Sequence, residues 1–585
     1  MNRAKGSRLS RAVVLIVALA SFSGTGMPTD AQEVQHLTTP QPGGMPGLPS
    51  MTGVHRFSNS VTVTWFGPPG YYQLFQKLGL QNGQWQRVGG LNLSNQAILP
   101  ANSNAFFQVA GPSPQYAGAR ACAECHAGTH EQVMKTAHAG AFTNALFVAQ
   151  GGQTNNLCLS CHTVGFGMPT GFISKSATPH LAGVQCENCH GPAARHAANP
   201  EDFTARPRVD IAATVCGGCH TSQSVPAQVT AWHPPFYEQW NASAHRAVRD
   251  ELKEDFTSSG GPTSFIPNCG RCHSGTVREA FLENTPLPDG HEAGAVGIAC
   301  ATCHDPHNKH AHTNVLAGVQ SFTNALTGFS YVFTNALLGP GYTNQLREPL
   351  SSLQDYHTGG SFSTNYNPQI NVCAQCHNDR GASWVSGDRP PHHSPQYNML
   401  LGTVGELATD LPPNLPGTHS RIEKQCVSCH MQTSGQTSGH NFIVTSYEAC
   451  VTCHGSASNA QGLIGFVQGI INSMSQQVKA GLDQWATNNA PAEIRKYGTL
   501  AWEYQNAGQL SNPDGTLRGP VSDRNDPAKD EQKYIPTDIK KARFNLYLVI
   551  NDGSYGVHNG PHAITLLDAA LDWIQTEVNK QAKLE

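Results

Sequence analysis

Eighteen cysteines fall into nine Cys-x-x-Cys pairs, and each pair is followed at once by a histidine. The pairs are Cys122 and Cys125, Cys158 and Cys161, Cys186 and Cys189, Cys216 and Cys219, Cys269 and Cys272, Cys300 and Cys303, Cys373 and Cys376, Cys426 and Cys429, and Cys450 and Cys453. The histidines are His126, His162, His190, His220, His273, His304, His377, His430 and His454. Random placement of the 28 histidines would produce fewer than about one such coincidence. No cysteine is left over for a disulfide. The pattern is that of covalent haem c attachment: two thiols add to the haem vinyl groups, and the next residue places its imidazole on the iron. Zinc ribbons do not need the adjacent histidine, and redox dithiols come singly. The sequence therefore predicts nine haems c, with these nine histidines as proximal ligands.

The nine motifs divide the rest of the chain. Arg3, Lys5, Arg8 and Arg11 precede an apolar run at 12–21, and residues 1–31 read as an export signal. That run is short for a membrane span. The expected product is periplasmic or extracellular, with no transmembrane anchor after cleavage. A net charge of -4 gives no basic excess for nucleic acid. Residues 32–55 are rich in Pro, Gly and Thr and read as a linker. Residues 56–110 lack cysteine and alternate apolar with polar residues, as in Val61-Thr-Val-Thr-Trp65. They predict a small β-sandwich, with a spacer role favoured over a binding one. Residues 111–455 hold all nine motifs, so each haem has few residues around it and must itself supply apolar interior. Short helices and irregular chain are expected there. The stretch 308–370 carries the least signal; its FTNAL strings at Phe322 and Phe333, with a third at Phe142, do not make a solenoid. Residues 456–585 show helical spacing at Leu463, Val467, Ile471, Met474 and Val478, again over 539–549, and at Ile564, Leu567, Leu571 and Val578. A helical hairpin or three-helix bundle follows.

An iron that only passes electrons needs a second axial ligand, and seventeen further histidines lie between His130 and His562. The candidate distal ligands are His138, His196, His245, His307, His392, His393, His419, His440 and His558. His138 and His245 end near-identical strings, EQVMKTAH and EQWNASAH, each read as a short helix presenting a histidine. His196 and His307 follow the third and sixth motifs after a proline. His419 precedes the eighth motif and His440 the ninth. His558 lies on a turn between two helical stretches.

The strings GVQCENCHGPAARH, GIACATCHDPH, QCVSCHM and ARFNLYLVINDGSYGVHN resemble the multihaem cytochrome c superfamily. That group includes the tetrahaem carriers of ammonia oxidisers, hydroxylamine oxidoreductase, and the multihaem nitrite and tetrathionate reductases. The resemblance runs from residue 115 to about residue 580 and implies close haem pairs forming an electron path, with a helical C-terminal region. It also implies that the Gly-x-His-Asn string brings His558 to a haem as distal ligand. The reductases carry a catalytic haem whose motif ends in lysine; none of the nine motifs here does. The expected function is thus electron transfer with redox partner proteins. The alternative is a haem-dependent oxidoreductase in which one open iron takes nitrite, hydroxylamine or a sulfur oxyanion. A filament subunit is a third reading that no residue demands.

Overall fold

The computed structural model describes residues 50–56, 60–66, 72–77, 86–92, 96–100, 106–110, 115–168, 170–201, 205–207, 210–222, 233–258, 265–307, 319–323, 330–334, 345–347, 372–408, 411, 415–422, 425–432, 439–506 and 527–582. The export signal at 1–31, most of the 32–55 linker, and His310, His312 and His357 lie outside them. The chain divides into two units. One comprises 1–219, 224–227 and 306–309; the other comprises 220–223, 228–305 and 310–585.

The first unit opens with six strands: β1 (Ser50–Arg56), β2 (Ser60–Phe66), β3 (Tyr72–Lys77), β4 (Gln86–Asn92), β5 (Gln96–Pro100) and β6 (Phe106–Ala110). They form two antiparallel sheets, ordered β1-β2-β5 and β4-β3-β6. Strand alternation sends Val61, Val63 and Trp65 inward while Thr62 and Thr64 stay half exposed. With Tyr72, Leu74, Leu99 and Phe107 they make one buried cluster fed by both sheets. Trp65 meets Tyr72 edge-on at 5.6 Å.

Short helices carry most of the attachment motifs: Asn156–His162, Cys186–His190, Ile266–His273, Cys300–Cys303, Gln425–His430 and Val451–His454. One helical turn suits the motif because residues i, i+3 and i+4 share a face. Asn155 caps the first of these by accepting from the Leu157 amide at 3.0 Å. The helices are one or two turns long, and the apolar clusters beside them are small. Phe142, Leu159, Val164, Phe172 and Leu181 form one in the first unit. Val248, Phe256, Ile266, Val277 and Ala293 form another in the second. In the 308–370 stretch, β7 (Val319–Thr323) pairs antiparallel with β8 (Ser330–Thr334).

The main side-chain core is C-terminal. It joins α1 (Ala457–Asn488), α2 (Thr537–Asp552) and α3 (Gly560–Ala582). Ser456 caps α1 by accepting from the Asn459 amide at 3.1 Å. Ile471, Val478, Leu482, Trp485, Leu546, Leu548, Leu566 and Leu567 lie fully buried between the helices. Arg543 of α2 is buried there too. It donates to the Trp502 and Glu503 carbonyls at 2.7 and 2.8 Å and to Gln532 Oε1 at 3.0 Å. Gly553, at φ 72°, ends α2 in the left-handed conformation that glycine adopts without strain. No helix among the described residues is long and apolar enough to cross a membrane.

The strings ending in His138 and His245 differ from expectation. Their helices stop early, at Val133 and Asn241. The Thr136 hydroxyl donates to the Val133 carbonyl, competing with helix continuation. Ser243 starts a new 3-10 turn by accepting from the His245 amide. Both histidines therefore stand on turns beyond the helices.

Leu482→Ala should lower the stability of the C-terminal helices by about 2–5 kcal/mol, since Leu482 is fully buried. The denaturant midpoint of the far-ultraviolet helical signal checks this.

Candidate haem-binding sites

None of the eighteen motif cysteines is in a disulfide. In the first unit the Cys122 thiol lies beside Cys186, bringing the first motif to the third, and Cys219 lies beside Cys161, bringing the fourth to the second. Cys189 is half-buried and acts electrostatically on Cys219, so the third motif also comes close to the fourth. The first motif is less enclosed than its spacing suggests. Cys122 is half-buried, but Cys125, just beyond the short helix Ala119–Ala123, is exposed. Cys453 of the ninth motif is likewise exposed. In the second unit Cys376 lies beside Cys272 and Cys373 beside Cys426. The neighbouring thiol and burial push Cys373 and Cys376 well above the ordinary cysteine range. The seventh motif thus touches the fifth and the eighth. Cys450 is close enough to act electrostatically on Cys429, which brings in the ninth.

Polar anchors fix the loops around these motifs. In the first unit the buried Glu187 carboxylate accepts from the amides of Ala117, Gly118 and Ala193 at 3.1, 2.8 and 2.7 Å. It thereby holds the approach to the first motif against the third. In the second unit Arg347 braces the sixth motif. Its amide donates to the Cys303 carbonyl, its Nε to Ala301, and its guanidinium pairs with Glu279 and Glu283 at 2.8 and 3.0 Å.

Among the described residues, six motif histidines face a second histidine ring. In the first unit His190 stacks on His307, with centres 5.8 Å apart and planes 4° from parallel. In the second unit His304 faces His440 at 6.4 Å, His377 faces His245 at 6.2 Å, His430 faces His558 at 6.3 Å, and His454 faces His419 at 6.2 Å. His273 has two such neighbours, His392 at 5.9 Å and His393 at 6.5 Å. Sequence neighbours are not the spatial partners. His307 follows the sixth motif but faces the histidine of the third. His440 precedes the ninth but faces that of the sixth. His419 precedes the eighth but faces that of the ninth.

The Nδ1 atoms of several of these rings have acceptors that turn the opposite nitrogen toward the partner. His430 reaches the Phe442 carbonyl at 3.0 Å. Phe442 aims that carbonyl from a left-handed φ of 59°. His419 reaches the Val557 carbonyl at 2.6 Å. His377 reaches Gln396 Oε1 at 3.3 Å, and the Gln396 amide donates to the Asp552 carbonyl at 3.2 Å. His392 reaches Ser394 Oγ at 3.0 Å; that hydroxyl donates onward to the Asn378 carbonyl, so it can only accept from the ring. His558 reaches the Asp552 carboxylate at 2.6 Å. Burial pushes His245 and His273 down to about 4 and His392 to about 2, keeping each ring neutral, the form that ligates metal. His558 differs. Burial lowers it, but the Asp552 carboxylate outweighs that and holds it above its ordinary value.

His138 and His196 are half-buried in the first unit. His196 Nδ1 is buried with no hydrogen-bond partner. His162 packs under Phe147 at 4.2 Å, and His220 lies edge-on to Phe236 at 5.9 Å. His126 is exposed. His562 is buried in the C-terminal core with its Nε2 at 2.8 Å from the Val404 carbonyl. The Nδ1 acceptors have no signature in the sequence. Only the Asn551-Asp-Gly string stands out there, and by itself it signals turn chemistry alone.

This donor set fits haem c. Two imidazoles on opposite faces of one metal, each bonded at about 2 Å, have ring centres roughly 6 Å apart. With no motif cysteine in a disulfide, each thiol can add to a haem vinyl group. Arg278 adds a buried Nη1 with no partner, acting electrostatically on Cys303 and Cys376, a natural counterpart for a propionate. Thiol pairs followed by imidazoles, on short helices with little core of their own, define a multihaem c-type cytochrome.

Residues 121–191, 215–305 and 372–455 match the family described as cytochrome c554 and c-prime. The chain is a multihaem c-type cytochrome, similar to that family over these three stretches. Cytochrome c-554 of Nitrosomonas europaea is 32% identical over 90 residues, covering 13% of this chain and 38% of that protein. The C-type polyheme cytochrome OmcC of Geobacter sulfurreducens is 23% identical over 579 residues, covering 80% of this chain and 72% of that protein. Among solved structures, the outer cell wall cytochrome OcwA aligns with a TM-score of 0.49 at 18% identity, over 78% of this chain and 99% of that one. The undecaheme cytochrome from the S-layer of Carboxydothermus ferrireducens aligns with a TM-score of 0.39 at 16% identity, over 90% of this chain and 62% of that one.

Glu187→Ala leaves three amides without their acceptor and should cost the first unit about 3 kcal/mol or more. Denaturant titration, with haem content measured in parallel, checks it; the haem content should not change.

Proposed function

We propose that the chain carries nine haems c, one per motif, and passes electrons along them through irons held mainly between two imidazoles. The observation that carries this reading is the recurrence of a second histidine ring 5.8–6.5 Å from a motif histidine in six of the nine motifs. Haem c, when bound, supplies reversible one-electron chemistry at iron. The chain's residues do the rest. The cysteines fix each macrocycle, with Cys125 and Cys189 completing the pairs of the first and third motifs. The histidine pairs His190 and His307, His273 and His392, His304 and His440, His377 and His245, His430 and His558, and His454 and His419 would each hold an iron between two imidazoles. His392 is preferred over His393 because Ser394 orients it and His393 is exposed. His138 and His196 remain candidate distal ligands for the first unit.

Two imidazoles leave no coordination position for a substrate, which favours a carrier over a haem reductase. The thiol contacts between motifs support rows of neighbouring haems within each unit. The export signal read at 1–31 supports a periplasmic or extracellular site of action, with redox proteins as partners. The two N-terminal sheets suit a small β-sandwich acting as a spacer.

Intact mass should exceed the mature polypeptide by nine haems, and Cys450→Ala with Cys453→Ala should remove one. The reduced protein should bind little carbon monoxide and be reoxidised slowly by nitrite, hydroxylamine or tetrathionate. Rapid turnover of any of these with a viologen donor would replace the carrier with an oxidoreductase acting on inorganic nitrogen or sulfur compounds. His558→Ala should convert one low-spin iron to high-spin in the electron paramagnetic resonance spectrum. An unchanged spectrum would remove His558 from the ligand set.

A further inference from the structure

The acceptors around the second unit's histidines differ in charge. His377 donates to an amide oxygen, His392 to a hydroxyl, and His419 and His430 to backbone carbonyls. His558 donates to a carboxylate, that of Asp552, whose side chain is 2% exposed. Every oxygen of that carboxylate is engaged. Oδ1 takes the His558 ring, and Oδ2 takes the Ser554 hydroxyl and, at 3.3 Å, the Ser554 amide. The Ser554 hydroxyl oxygen in turn accepts from the His558 amide at 3.1 Å. Asp552 is also the last residue of the sixteen-residue α2. The negative end of that helix adds to the carboxylate's own charge at the imidazole.

From this, and resting on the reading of His558 as an iron ligand, we infer that Asp552 is a positioning residue that lowers the reduction potential of the haem at the eighth motif. A carboxylate accepting from Nδ1–H draws the proton toward itself and makes the imidazole a stronger electron donor. A stronger donor stabilises ferric over ferrous iron, so the site takes up its one electron less readily. The same effect is weak where the acceptor is neutral, as it is for His377 of the seventh motif and His419, which faces the ninth. Those two motifs are the neighbours of the eighth, through Cys373–Cys426 and Cys429–Cys450. Asp552 therefore sets an energetic step in the middle of a row of three, where electrons collect on either side rather than on the eighth haem.

The test is a redox titration of the full-length holoprotein, followed by optical and electron paramagnetic resonance spectra. Asp552→Asn keeps an acceptor oxygen and removes the charge. One low-spin signal should become easier to reduce by about tenfold in its equilibrium constant, or about 59 mV for one electron. Haem number should be unchanged, and Asp552→Glu should restore the wild-type value. Ser554→Ala removes a competing donor from the carboxylate and should shift the same signal the opposite way, which keeps the question open to decision even where Asp552→Asn does not fold. Wild-type potentials in either folded variant overturn the inference. The ligand reading is separable. If His558→Ala yields a high-spin iron while Asp552→Asn shifts nothing, the ligand stands and the tuning falls. If His558→Ala leaves every iron low-spin, both fall.

Discussion

The end of α2 is where the side-chain core of the second unit meets its histidines. Ten residues of α2 are buried, among them Leu546, Tyr547 and Leu548, so the helix can neither slide nor turn without opening the core. Its C-terminus then delivers acceptors to three different rings. Asp552 takes the His558 ring, the Asp552 carbonyl takes Gln396 and so His377, and Val557 takes His419. Each bond is worth only about 1 kcal/mol in net stability. Their effect is on orientation: fixing one ring nitrogen decides which way the other faces.

The division of labour between core and motifs follows from size. The motif helices are one or two turns long and would be marginal alone in water. The apolar clusters beside them hold only a few residues each. What fixes them is polar and long-range instead, such as Glu187 gathering three amides or Arg347 bridging Glu279, Glu283 and the Ala301 carbonyl. Such buried ionic anchors add little over an apolar replacement, but they are costly to break and so specify one arrangement of the loops. With haems seated, large apolar surfaces would complete the interior that the chain itself does not supply.

Much of this was legible in the sequence because it is local. The Cys-x-x-Cys-His string declares its chemistry within five residues. Val61–Trp65 alternates with period two, and Leu463–Val478 and Ile564–Val578 repeat with helical spacing; each is a strand or helix in the structure. Gly553 marks the end of α2. Other features depend on competition that the pattern does not record. The EQVMKTAH and EQWNASAH strings look helical throughout, yet Thr136 and Ser243 divert the backbone before either histidine. The motif itself says nothing of how deeply its thiols sit, so the exposed Cys125 and the half-buried Cys376 read alike. Asp552 carries a turn-forming signature that is real, and that signature hid its second role as an acceptor six residues before His558.

The pairing of histidines was the least legible feature, and polymer physics explains why. Closing a loop costs entropy that grows only with the logarithm of its length, about 0.6 kcal/mol for each doubling. A ring from a distant segment therefore meets a motif histidine at almost the same cost as one from a few residues away. Proximity in sequence gives His440 no advantage at the ninth motif over the sixth, nor His419 at the eighth over the ninth. What decides is which segment the packed elements hold rigid at the right place. His558 illustrates the point: it is far from His430 in sequence, but it sits on a connection clamped at one end by the buried α2 and at the other by α3. A local histidine on a loose loop would keep the freedom that ordering must remove, whereas His558 has already surrendered it to the core.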